Sequence, residues 1–164
     1  MNNTEDQKTV VNADIKPTPV KVLAQYVKDF SFENPNSPES LRASNARPEM
    51  DVSIVIDGVK VNDDAEPSLY ESSIKLKVKS TRDGDTLFIT EIVYAALVDL
   101  KDSAPEYIRP ILYVEVPQML FPFARQMLAN AVSSGGFPPL LLNPIDFKGM
   151  YESSKKLDKD AVAA

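Results

Sequence analysis

Leu120-Phe121-Pro122-Phe123-Ala124-Arg125-Gln126-Met127-Leu128-Ala129-Asn130-Ala131-Val132-Ser133-Ser134 carries a single charge, on Arg125, and repeats its apolar residues at helical intervals. Leu120, Ala124, Met127, Leu128, Ala131 and Val132 follow one another at spacings of 4, 3, 1, 3 and 1, which predicts a helix. Pro122 fits its first turn and Gly135-Gly136 its C-terminal cap. The shortage of charge extends past the helix, since Arg125 is the one charged residue from Val116 to Ile145. Such a helix needs cover on more than one side, because apolar surface left in water is unfavourable.

The residues before it supply part of that cover. Residues 20–33 alternate, with Val22, Ala24, Tyr26, Phe30 and Phe32 on one side and Gln25, Asp29, Ser31 and Glu33 on the other. Asn34-Pro35-Asn36-Ser37-Pro38 ends this strand, and the polar segment up to Arg47-Pro48 is too long for a tight hairpin, so it is expected to cross the sheet. A second strand, residues 49–56, sets Met50, Val52, Ile54 and Ile56 against Glu49, Asp51 and Ser53. Asp57-Gly58 and residues 62–67 read as turns. A third strand, residues 69–80, turns Tyr70, Ile74, Leu76 and Val78 inward and Glu71, Lys75, Lys77 and Lys79 outward. Asp83-Gly84 is a type I′ hairpin signal leading into a fourth strand, residues 86–100. The expected class is α+β, with a four-stranded antiparallel meander wet on one face. A sheet of that size covers one side of the helix. The remaining cover is expected from a second copy of the chain.

After the helix, Phe137-Pro138-Pro139-Leu140-Leu141-Leu142 reads as an extended connector, and Asn143-Pro144 as the start of a last helix. In that helix Phe147, Met150, Tyr151 and Leu157 oppose Lys148, Glu152, Lys155 and Lys156. Residues 20–157 form the expected single domain, between a flexible leader (1–19, with Lys16-Pro17-Thr18-Pro19) and a flexible tail (158–164).

Composition narrows the function. The 164 residues include no Cys, His or Trp, which removes disulfides, Cys/His zinc sites, thiol nucleophiles and Ser-His relays. A net charge of −6 disfavours nucleic acid and favours a basic partner for an acidic face. No apolar run reaches the roughly 20 residues that span a bilayer, and the first residues are polar, so a cytoplasmic location with no membrane insertion is expected. Asp83-x-Asp85 reads as a turn, and Asn62-Asp63-Asp64 with Glu66 lacks the glycine of a calcium loop. Gly135-Gly136 follows a helix instead of preceding one, so it is no phosphate cradle. Asp29 and Glu33 lie on the solvent side of their strand, where nothing raises a carboxyl pKa for acid-base work. No enzyme activity, metal or cofactor is expected.

Three blocks carry a resemblance. Lys28-Asp29-Phe30-Ser31-Phe32-Glu33-Asn34-Pro35-Asn36, then Leu120-Phe121-Pro122-Phe123-Ala124-Arg125, then Gly136-Phe137-Pro138-Pro139-Leu140-Leu141-Leu142-Asn143-Pro144-Ile145-Asp146-Phe147 resemble, in order and spacing, the SecB protein-export chaperones. The resemblance covers roughly residues 20–151. It implies a dimer of dimers with the long helices sandwiched between, and interface residues Leu120, Ala124, Arg125, Met127, Leu128 and Ala131. It implies an ATP-independent chaperone that holds unfolded preproteins in the cytoplasm and passes them to the SecA motor. Asp29, Glu33, Ile89 and Glu91 match the family's motor-docking positions, and strand parity separately puts all four outward. Client contacts are implied for Leu41, Met50, Val52, Ile54, Phe88, Ile92, Phe147, Met150 and Tyr151. Ala46 departs from the Trp often found there, and Thr90, Ile92, Tyr94 and Ala95 replace a stretch often rich in Gly and containing Cys. The rival reading is an oligomeric scaffold or small-ligand binder on the same fold.

Overall fold

All four expected strands form: β1 (Lys21–Glu33), β2 (Glu49–Lys60), β3 (Leu69–Arg82) and β4 (Asp85–Asp99). The computed structural model describes residues 20–61 and 64–163, with side chains described as far as Leu157. The expected leader falls outside the described residues, as do Asn62 and Asp63 of the acidic turn. Every pairing is antiparallel, but the order across the sheet is β1-β4-β3-β2. This corrects the meander to a Greek key, three hairpin-linked strands with β1 returned beside the last. The crossing is made by residues 34–48. Arg82 Nη2 fastens that loop by donating to the carbonyls of Ser40 and Arg42 at 3.2 and 3.3 Å, and Asn36 Nδ2 donates to the Thr86 carbonyl at 2.9 Å. The β3–β4 turn has Asp83 and Gly84 at φ 54° and 87°, as a type I′ turn demands.

Parity along β1 needs a correction. Its register against β4 shifts between Val22 and Ala24 and again between Val27 and Asp29, leaving Leu23 and Lys28 as extra residues in two bulges. Between the bulges the phase inverts. Ala24 and Tyr26, opposite Leu97 and Ala95, face outward, while Gln25 lies opposite Ala96 on the inner face. Because there are two bulges, the strand ends regain the expected sides: Val22, Phe30 and Phe32 inward, Asp29, Ser31 and Glu33 outward. β2 also differs, running on through Asp57-Gly58 to Lys60. Gly58 is not a turn residue. A Cβ there would sit 3.0 Å from Leu112 Cβ and 3.2 Å from Tyr113 Cε2, so glycine lets a helix lie close on the strand.

That helix begins well before Leu120. The path runs unbroken through α1 (Pro105–Pro110), one wide π turn (Ile111–Glu115) and α2 (Val116–Ser134), which places Pro122 inside the helix and not in its first turn. The π turn accommodates Pro117. Val116 N–H bonds to Ile111 O, and Pro117 has no N–H for Leu112 O, so Leu112 O takes its proton from the buried Ser72 hydroxyl at 2.6 Å. Ser72 is the register partner of Gly58. The C-terminal cap forms as expected, a Schellman motif with Gly136 at φ 89°, Gly136 N–H on Ser133 O and Phe137 N–H on Val132 O.

α2 buries Leu120, Phe121, Ala124, Leu128 and Val132 against the inner faces of β3 and β4, where Ile74, Leu76, Val78, Phe88, Ile92 and Val98 are nearly inaccessible. α3 (Phe147–Ala163) is capped by Asp146, whose Oδ1 accepts the Gly149 N–H at 2.9 Å, so Asn143-Pro144 belongs to the connector. Its backbone stays helical past Asp158, where a tail is expected.

Candidate functional site

Two surfaces carry the residues singled out above. The first is the outer face of the sheet, away from the helices. Glu33 lies opposite Ile89, Ser31 opposite Glu91, and Asp29 opposite Val93, so Asp29, Glu33, Ile89 and Glu91 share one corner of that face. Asp29 and Glu33 are exposed, while Glu91 is half-buried and pairs with Lys75 at 3.0 Å. Farther along the face Tyr26 and Lys28 reach across β4 to Glu71 of β3, the lysine at 2.5 Å. Partial burial pushes the Glu71 carboxyl up, but the hydrogen bonds from Lys28 and Tyr26 and the lysine's charge outweigh it and hold the pKa below its ordinary value. Tyr26 moves the other way, from 10.0 to about 12, through burial and the adjoining carboxylate. Among the described residues no cluster of acidic side chains has the make-up of a metal site.

The second surface is the inner face of β2, which α2 leaves uncovered. Met50 and Val52 are exposed and Ile54 is half-buried on that side. The same parity continues to Ile56, which with Tyr113, Met150, Tyr151 and Ser154 lines a cleft of about 180 Å³ between β2, the π turn and α3. Tyr113 stacks on Tyr151 with ring centroids 6.1 Å apart, the Arg109 cation lies over the Tyr113 ring and the Lys155 cation over the Tyr151 ring. The cleft walls are thus aromatic and its rim cationic. Leu41, on the crossing loop, leans over Gly136. Four of the residues marked for clients lie elsewhere or deeper: Phe88, Ile92 and Phe147 belong to the core, and Tyr151 is mostly buried under its stack. Ile56 follows from strand parity and was within reach of the sequence. Tyr113 was not, because only the π turn aims it into the cleft.

The interface residues divide in the same way. Leu120, Ala124 and Leu128 have no accessible surface and pack on the chain's own sheet, so they are not free for another subunit. Arg125 donates to the Leu142 carbonyl at 3.4 Å and lies over the Phe121 ring, fixing the connector. Met127 and Ala131 do reach the surface, and with Phe30, Phe32, Asn130, Ser134 and Gly135 they line an open trough between β1 and α2. Phe123, missed as an interface candidate, is 50% exposed on that flank. Gly135 has no side chain because Phe32 occupies its place: a Cβ would lie 2.2 Å from the ring.

No helix among the described residues is long and apolar enough to cross a membrane. A family model described as preprotein translocase subunit SecB matches residues 13–158. The chain is 42% identical over 131 residues to the protein-export protein SecB of Bartonella quintana, covering 80% of each. It is 39% identical over 150 residues to that of Caulobacter vibrioides, covering 91% of this chain and 89% of the relative. Among solved structures, a SecB-like chaperone of Mycobacterium tuberculosis in complex with an antitoxin peptide shares the fold at TM-score 0.61 and 15% identity, over 77% of this chain and 90% of that one. The extent of these matches, over the same sheet, helix and connector that carry the two surfaces, establishes that the chain belongs to the SecB family.

Proposed function

We propose that the protein is a cytoplasmic export chaperone, not an enzyme, that holds unfolded preproteins and delivers them to the SecA motor without using ATP. The observation that carries this reading is the uncovered inner face of β2, Met50 to Ile56, opening into the tyrosine-walled cleft. Folded proteins keep their apolar segments inside, whereas unfolded chains offer many. Each large side chain buried in such a groove contributes about 1.5–3 kcal/mol, whatever its place in the client sequence. Repeated grooves in one assembly hold a client through effective concentration.

The assembly we propose is a homotetramer, a dimer of dimers. The trough between β1 and α2 supports it: Phe30 is 46% exposed there, and the helix flank beside it carries uncharged Gln126, Asn130, Ser133 and Ser134, which a second copy covers without burying charge. The exposed carboxylates Asp29 and Glu33, with Ile89 and Glu91, form the motor-docking corner. Exposed charges of this kind govern orientation and association rate and weaken with salt.

The test is a denatured export precursor refolding with and without the protein. A chaperone delays folding at near-stoichiometric amounts, and Val52→Asp with Met150→Asp abolishes the delay. Refolding at an unaltered rate beside the wild-type protein would instead favour an oligomeric scaffold.

A further inference from the structure

The bulge at Lys28 decides which side chains of β1 face outward. Up to that point the phase pairs Tyr26 with Ala95 outside and Val27 with Tyr94 inside. Regular alternation from there would put Asp29 opposite Ile92 and Ser31 opposite Thr90, turning Asp29 and Glu33 in towards the helix and Phe30 and Phe32 out to water. The chain instead sets Lys28 aside as an extra residue and resumes with Asp29 opposite Val93. Within the chain β1 is an edge strand with a neighbour on one side only, the setting in which bulges are commonest.

An outside support is present at this place. Glu71, on β3, accepts hydrogen bonds from Tyr26 and from the extra residue, Lys28, both of which reach it across the outward side of β4. Tyr26 lies opposite Ala95 on that side of β4, a small and fully buried residue. We infer that Glu71 is a positioning residue for the docking corner: by holding Tyr26 and Lys28 together it fixes the bulge, and the bulge keeps Asp29 and Glu33 on the outer face. This rests on the motor-docking reading above.

The chain has no Cys, so an introduced pair reports the register directly. Cysteines at Ser31 and Glu91 trap the native register, and cysteines at Ser31 and Thr90 trap the slipped one. Wild-type and Glu71→Ala backgrounds are compared for trapping, and cysteine-free versions for binding to purified SecA at low salt, with light scattering to confirm assembly. Glu71→Ala is expected to move trapping towards the second pair and to lower affinity about tenfold, in proportion to the molecules that keep the docking register.

Deleting Lys28 supplies the decisive arm. Without the extra residue, regular alternation after Val27 brings Asp29 opposite Val93 with no bulge to hold, so Glu71→Ala with Lys28 deleted should regain native trapping and affinity. Exclusive native trapping in Glu71→Ala overturns the inference, and so does failure of the deletion to restore binding, which would make Glu71 itself a contact. Asp29→Lys with Glu33→Lys is the separate test of the docking reading. If that variant binds SecA normally the reading falls, while the trapping result still decides whether Glu71 sets the register.

Discussion

Replacing Ser72 with alanine removes the hydroxyl that satisfies the Leu112 carbonyl. The consequence can be sized, because the geometry leaves few alternatives. Val116 N–H, the first donor that could replace it, bonds to Ile111 O, and the next position is Pro117, which has none. Ser72 is fully buried and Leu112 nearly so, so water does not reach the carbonyl without opening the contact between the π turn and β2. A buried acceptor left without a donor costs about 1–3 kcal/mol, and the alanine recovers part of that by no longer burying a hydroxyl of its own. A net loss of about 1.5 kcal/mol is expected, or roughly 3–6 °C in Tm for a chain of this size. Urea unfolding followed by circular dichroism at one fixed protein concentration measures it, since the apparent stability of any self-associating protein depends on concentration. Ser73→Ala, next in the strand but on the outer face, is the control and should stay within about 0.5 kcal/mol of wild type. Client affinity should fall with Ser72→Ala as well, because the π turn aims Tyr113 into the cleft. If Ser72→Ala and Ser73→Ala prove equally stable, the sheet does not anchor the π turn, and the explanation of how the helix passes Pro117 is wrong.

Leu128→Asp should unfold the subunit, since it places an unpaired charge at a site with no accessible surface, a loss on the order of 4 kcal/mol or more. Phe123→Asp, at a half-exposed site on the trough flank, should leave the circular dichroism spectrum intact and lower the mass seen by light scattering; an unchanged mass would place the subunit contact elsewhere. Gly135→Ala drives a methyl into the Phe32 ring, which must leave its stack on Phe88 at a cost of about 1–3 kcal/mol in urea unfolding, and wild-type stability would mean the ring has room to move. Tyr26 should ionise late, near pH 12, when tyrosinate absorbance is followed, and Glu71→Gln should bring it back towards 10.0. Its raised pKa means the folded state holds the proton more tightly, so this contribution to stability is complete below about pH 10 and is lost as pH rises towards 12. The lowered pKa of Glu71 acts in the opposite sense, present above its ordinary value of 4.5 and lost as pH falls through the folded value. Ionisation of Tyr26 near 10.0 in the wild-type protein would deny the Tyr26–Glu71 hydrogen bond.

The strands and their inward residues were legible wherever alternation ran without interruption, as in Met50 to Ile56 and Tyr70 to Val78. It failed between Leu23 and Lys28, because a bulge has no residue signature: Leu23 and Lys28 are ordinary strand residues, and what holds the second bulge is Glu71, more than forty positions away in the chain. Proline and glycine misled for a related reason. Pro122 reads as a first-turn proline, but the helix starts earlier and runs through it, past a π turn where Ser72 serves the carbonyl stranded at Pro117, and Gly58 reads as a turn when its task is close approach. The outward corner of Asp29 and Glu33 came out right because two phase errors cancel. For the long helix, the pattern identified an apolar stripe without telling which half of it faced the chain's own sheet. Leu120, Ala124 and Leu128 are the core half, whereas Met127 and Ala131 reach the trough.

Simple dimensions explain why this fold has apolar surface left over on both sides of its helix. Strands lie about 4.8 Å apart, so the sheet is close to 19 Å wide, and a helix with its side chains is about 10 Å across. One helix therefore covers two strands. α2 covers the middle pair, β3 and β4, whose inner side chains are almost fully buried, and this leaves the edge strands β1 and β2 with Phe30 46% and Met50 48% exposed. What borders each edge makes the two openings unequal. On the β1 side the wall is α2 itself, rigidly seated through Leu120, Ala124 and Leu128, a fixed shape suited to a fixed partner such as another copy. On the β2 side the wall is α3, which meets the body through Phe147 against Phe121 and the Tyr113–Tyr151 stack. A wall joined through a few aromatic contacts can shift by the width of a side chain at little cost, which is what a groove needs if it is to admit many sequences. Pinning α3 to β2 should therefore narrow the range of clients while leaving the assembly whole, and pinning β1 to α2 should do the reverse.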